Sequence, residues 1–191
     1  HTALGRPQVF NGPPDSEVVE FGISCEACHG PGESHIELHQ ARLAESTTNK
    51  DAPASDAPSD DPIVNPAKLT AHLSSQVCGQ CHGIFMHETQ DDRMAWSEDG
   101  FRFRPGDELT DTRVMIQVHL LDEQPVVQEG LKRHPQFFEE RYWTDGTPRV
   151  LGREYTSMVV SPCHVDGGMS CLSCHTMHPP EGEQRPLKEW A

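Results

Sequence analysis

Six of the seven cysteines in this 191-residue chain fall in three five-residue runs: Cys25-Glu26-Ala27-Cys28-His29, Cys78-Gly79-Gln80-Cys81-His82 and Cys171-Leu172-Ser173-Cys174-His175. Each reads C-x-x-C-H. Two thiols three positions apart can add to the two vinyl groups of one porphyrin, and the adjacent imidazole then ligates the iron. The pattern is the attachment signature of c-type haem. Paired C-x-x-C also builds zinc sites, but there the pairs sit about 15–20 residues apart and no His need follow each. Redox C-x-x-C comes singly on a thioredoxin-like βαβ pattern, which is absent. With 12 His in 191 residues, chance would set His after all three pairs about 2 times in 10,000. Three covalent haems c are therefore expected, on Cys25 and Cys28, Cys78 and Cys81, and Cys171 and Cys174. His29, His82 and His175 are the proximal ligands. Zinc and disulfides remain the rival readings.

An iron with only a proximal His is open to small molecules, whereas a second axial ligand closes it for electron transfer. Nine further histidines stand at positions 1, 35, 39, 72, 87, 119, 134, 164 and 178, more than three closed irons need. Position favours two of them. His35 follows the turn Gly30-Pro31-Gly32 and opens a helical run. His178 lies three residues past its own proximal His175; it is too close to swing over the far face of its own ring but can reach a neighbouring iron. Methionine would raise the potential as a sixth ligand but more often fills core gaps, so bis-His ligation and low potential are expected. The seventh cysteine, Cys163, reads first as a small buried apolar residue. An intermolecular disulfide and thiolate ligation of haem are the sharper alternatives.

The elements that must carry these groups are short. Residues 1–24 are punctuated by Pro and Gly and read as irregular. Ser34 to Leu43 reads as a helix with Ser34 as N-cap and Glu37 completing a capping box. Residues 44–66, dominated after Lys50 by Asp, Ala, Pro and Ser, read as a solvated acidic loop. Pro66 to Ser75 leads into the second motif by a helical turn. Phe101-Arg102-Phe103-Arg104 alternates as a short strand would. Pro135–Tyr155, with the turn Asp145-Gly146, gives a hairpin signal. The fold class expected is mostly irregular with short α-helices and a small β-hairpin, one haem-cored triheme domain over residues 1–191.

Composition sets the same bounds. Hydrophobic residues are 35%, aromatics 6%, and Gly and Pro number 15 and 16, thin material for an ordinary apolar core. Three porphyrins would supply the missing core, so without haem the chain is expected not to fold. The formal charge of −15 argues against nucleic acid and against anionic membrane surfaces. No apolar run approaches the roughly 18 residues of a transmembrane segment. Haem c is attached outside the bacterial cytoplasm, so a periplasmic or extracellular place is expected, with any leader removed before His1.

The block from Gly22 to His35 (GISCEACHGPGESH) resembles the multihaem c-type cytochromes of the doubled-CXXCH type, related to tetrahaem electron-transfer cytochromes. Val77 to Gly83 with Phe103 to Asp107, and Tyr142 to Tyr155 with Met169 to His178, are similar to further blocks of that family. The resemblance implies that His35, after the Gly-Pro-Gly turn, ligates another haem. It also implies that His1-Thr2-Ala3-Leu4 is a His-x-x-Ala segment whose His1 is a distal ligand, downstream of a further haem motif in a longer protein. A ligand to a haem of a neighbouring subunit, or a frayed terminus, are the other readings of His1.

These expectations lead first to electron relay between redox partner proteins, with protomers stacked into a homo-oligomer or filament sharing haem ligands as its stronger form. The alternative is a multihaem oxidoreductase with one open haem acting on small nitrogen or sulfur compounds. A structural or metal-binding module without haem is the third.

Overall fold

The computed structural model describes residues 2–6, 15–20, 23–48, 61–100 and 102–178. His1 and residues 49–60 of the acidic stretch lie outside these. The described chain is mostly helical and irregular, with two small antiparallel sheets of two strands each.

The first sheet corrects the reading of residues 1–24 as irregular. Strand β1 (Thr2–Arg6) pairs with β2 (Asp15–Glu20) in the register Leu4↔Glu17 and Arg6↔Asp15. Pro7, Gly12, Pro13 and Pro14 fall between the two strands in sequence, while Gly5 pairs with Ser16 inside the ribbon. Helix α1 (Cys25–His29) is the first C-x-x-C-H motif itself. Gly30 ends it at φ +82°, a left-handed conformation that any side chain would strain.

Helix α2 (Glu33–Thr48) is longer at both ends than Ser34–Leu43. Ser34 lies inside it and is not its cap; the Gly32 carbonyl already accepts the Ile36 N–H at 2.9 Å. Its C-terminal turns take up 44–48 of the stretch read as loop. Asp61 to Asn65, at the far end of that stretch, fold back against α1 and α2.

A 3-10 turn at Pro66–Lys68, capped by the Asn65 side chain, leads into helix α3 (Ala71–His82), as expected for Pro66 to Ser75. The Thr70 hydroxyl accepts from the Leu73 N–H at 3.3 Å, an N-cap. The last turn of α3 is the second motif. Strand β3 (Phe85–Met86) pairs with β4 (Val114–Met115), and helix α4 (Gln90–Asp99) lies between them in sequence behind a Thr89–Asp92 capping box. No strand forms over Arg102–Arg104. Phe103 packs into the core, but Pro105 and the turn at Gly106 end the segment before it can pair.

Helix α5 (Pro125–Arg133) starts on Pro and ends on Lys132 and Arg133, in keeping with its dipole. The hairpin over Pro135–Tyr155 is only half present. Asp145-Gly146 does turn, with Gly146 at φ +83° and Trp143 N–H donating to the Thr147 carbonyl at 2.8 Å. Yet its arms meet only at Tyr142 and Pro148, because Phe137–Arg141 forms helix α6. Aromatic spacing that suits a strand suits one helical face equally over so short a run. Two short helices follow, α7 (Tyr155–Met158) and α8 (Pro162–Val165), and a 3-10 turn at Cys171–Ser173 holds the third motif.

The core is two small clusters. Ile84, Ile116, Val127, Phe137 and Tyr142 form one, and Phe103, Leu109, Met115 and Tyr155 the other. Met115 and Ile116, adjacent on and just after β4, face opposite ways and seed one cluster each.

Candidate functional site

The three motifs take different local forms but meet in space. In α1 and α3 the two cysteines sit one helical turn apart, so both thiols leave the same face. The third motif does the same on its 3-10 turn. Gln80, between the cysteines of the second motif, donates from Nε2 to the Ala27 carbonyl of the first at 2.6 Å. Cys171 of the third motif lies beside Cys78 of the second, and their mutual interaction holds the Cys78 thiol up and pushes Cys171 down. Burial, with Cys81 and Cys25 nearby, pushes Cys28 up. Burial also raises Cys81, against the pull of Arg113 and Arg153.

These two arginines cap the carbonyl end of α3. Arg113, almost fully buried, donates to the Gln80 carbonyl at 3.1 Å, and Arg153 to the Gly83 carbonyl at 2.9 Å and to that of Cys81. Cations on orphan carbonyls are the favoured closure of a helix C-terminus. Here they fix the turn that carries Cys81 and His82. Gly79 sits where α3 meets the core: a Cβ there would lie 2.7 Å from Tyr155 and 2.8 Å from Leu109.

The histidines sort by how their rings are held. His29 Nδ1 lies 2.7 Å from the Val64 carbonyl, and His82 Nδ1 lies 3.4 Å from a Glu154 carboxylate oxygen. Both leave Nε2 outward, the arrangement in which a carbonyl or carboxylate orients a metal-ligating imidazole. His35 follows suit, with Nδ1 2.7 Å from Asp61 Oδ1. His39, one turn on, reaches Asp61 Oδ2 through Nε2 at 3.0 Å. These two bonds hold the Asp61 carboxyl well below the usual range. His178 lies beside His29, the rings inclined by 22° with centroids 6.0 Å apart. His175 is exposed.

Among the described residues one set of three His, Cys, Asp or Glu ligand atoms converges within 4.8 Å, and it is His35, His39 and Asp61. The cysteines do not gather around a single point, as a zinc site would require. No two of the seven are joined in a disulfide. Cys163 is exposed, which corrects its reading as a buried apolar residue: it sits on the outer side of α8, while His164 takes the buried one.

A cleft of about 400 Å³, a size in the range of cofactor clefts, runs between the start of α3 and the third motif, lined by Ala67, Leu69, Ala71 and Leu172 and by Ser74, Ser170 and Ser173. Ile23, Ile36, Val165 and Met177, close to the motifs in sequence, are more than half exposed, as are Leu43, Trp143 and Leu151 farther from them. Sequence reasoning passed over three groups of this site: Arg113, Arg153 and Asp61. Their roles depend on contacts across about 26 to 72 residues of chain, which spacing along the sequence does not reveal. The chain matches no protein-family model, no curated protein and no solved structure.

Proposed function

We propose that the chain is a triheme c-type cytochrome that relays electrons between protein partners outside the bacterial cytoplasm. The observation that carries this reading is the convergence of three C-x-x-C-H motifs, each presenting its thiol pair on one turn, with a spare His beside the first. Covalent haem supplies one-electron iron chemistry. The chain attaches it through Cys25 and Cys28, Cys78 and Cys81, and Cys171 and Cys174. It ligates it through His29, His82 and His175, and orients His29 and His82 through Val64 and Glu154. His178, which lies beside His29, and His35, backed by Asp61, would supply further ligands.

No side chain need act on a substrate; burial, ligand basicity and hydrogen bonds set the potentials. The charge of −15 steers the protein to basic partners. Among the described residues no helix is long and apolar enough to cross a membrane. Stacking of protomers into a haem-sharing filament is the stronger form of the proposal, and it needs His1 or another group to reach a neighbour's iron.

The test is spectroscopic. Wholly low-spin ferric spectra and no carbon monoxide binding after reduction support relay. A high-spin signal that binds carbon monoxide would move the protein to the oxidoreductase class.

A further inference from the structure

His164 is the one almost fully buried histidine of the described residues, with 7% of its surface exposed. Its Nδ1 lies 2.6 Å from the Met169 carbonyl. Its Nε2 makes no hydrogen bond among the described residues. The same arrangement holds His29 and His82 inside their motifs. The other spare histidines differ. His39, His72 and His134 spend Nε2 on Asp61, Glu108 and Glu140. His119 is exposed. His87 buries an unpartnered Nδ1, in a space of about 10 Å³ that suits one water.

The backbone builds this arrangement deliberately. Ser161 caps α8 through the His164 N–H. Gly168 then turns the chain at φ +63°, and the Met169 N–H returns to the Cys163 carbonyl at 2.9 Å. That loop is tight: a Cβ on Gly167 would sit 2.6 Å from the Cys163 carbonyl oxygen. It is closed so that the Met169 carbonyl meets the ring. Nε2 is not among the buried unpartnered atoms of the described residues, so it stays open to a ligand while Nδ1 fixes the ring.

We infer that His164 is an axial ligand to one of the three irons. The inference rests on the triheme reading. With His178 and His35 it gives three candidate sixth ligands from this chain for three irons, the alternative to a filament in which His1 closes a neighbour's iron.

The holoprotein tests it. Wild type, His164→Ala and His164→Met are each assayed for covalent haem and for spin state. A wild type without covalent haem removes the triheme reading itself. With three haems attached throughout, His164→Ala is expected to turn about one third of the ferric haem high-spin, and added imidazole to return it to low-spin. His164→Met is expected to gain a thioether-to-iron charge-transfer band and a higher potential at one haem. If His164→Ala does not accumulate, the methionine variant decides alone. A wild type with one third of its haem already high-spin, an alanine variant that stays wholly low-spin, or a methionine variant lacking the band would overturn the assignment.

Discussion

His178 and Asp61 carry most of the meaning of the site at the scale of single residues. His178 stands against His29 although 149 residues of chain separate them. Its replacement by Ala is expected to open one iron of three. Carbon monoxide titration of the reduced protein would read this as one binding equivalent where wild type binds none. Asp61 bonds two imidazoles at once. An anionic acceptor on Nδ1 makes His35 a stronger donor, so Asp61→Asn is expected to raise the potential of one haem, read by redox titration. The three C-x-x-C-H runs were legible in the sequence because each is five consecutive residues. His35 was singled out by its place after a Gly-Pro-Gly turn, and the structure sets its Nδ1 on Asp61. Asp61 and His164 were not, since what marks them is a ring nitrogen held by a partner that only folding brings near.

At the scale of elements, α3 is the member on which the rest depends. It carries the second motif, touches the first through Gln80 and the third through Cys78, and packs Gly79 on Tyr155 and Leu109. Gly79→Ala is expected to destabilise the holoprotein by about 1–3 kcal/mol through overpacking, measured as a lowered denaturant midpoint with haem content unchanged. A neutral result would mean that α3 can shift away from α7. Tyr155 adds a pH dependence. Burial pushes its phenol up to about 12, whereas an unfolded tyrosine ionises near about 10. Because the folded value is the higher, the stabilisation is whole below about pH 10 and is lost as pH rises towards 12. Tyr155→Phe is expected to flatten that alkaline fall in stability. Of the helices, the run Ser34–Leu43 and the helical turn from Pro66 were legible, although Ser34 is not the cap, whereas α4, α5 and α6 passed unread. The strands were less so. β1 and β2 lay in a segment read as irregular, and Phe137–Arg141 took a helical turn where aromatics before the Asp145-Gly146 turn suggested a hairpin arm. Segments of two to six residues hold too few side chains for either period to declare itself.

At the scale of the whole molecule, the two apolar clusters of five and four buried residues are small for a chain of 191 residues. Ile23, Ile36, Leu43, Trp143, Leu151, Val165 and Met177 stand more than half exposed. The account therefore makes haem part of the fold. Chain produced without covalent attachment is expected to lack a cooperative thermal transition, checked by calorimetry against the holoprotein. The acidic surface is expected to make reduction by a basic partner slower as salt rises, since steering is screened beyond about 10 Å at 0.1 M; a rate indifferent to salt would remove charge from the account of recognition. The central claim is that three haems are covalently bound through the three motifs. The pyridine haemochrome assay on the purified, denatured protein measures this most directly. The account predicts three haems c per chain, falling to two when Cys78 and Cys81 are both replaced by Ala. Absence of covalent haem in the wild type would contradict it.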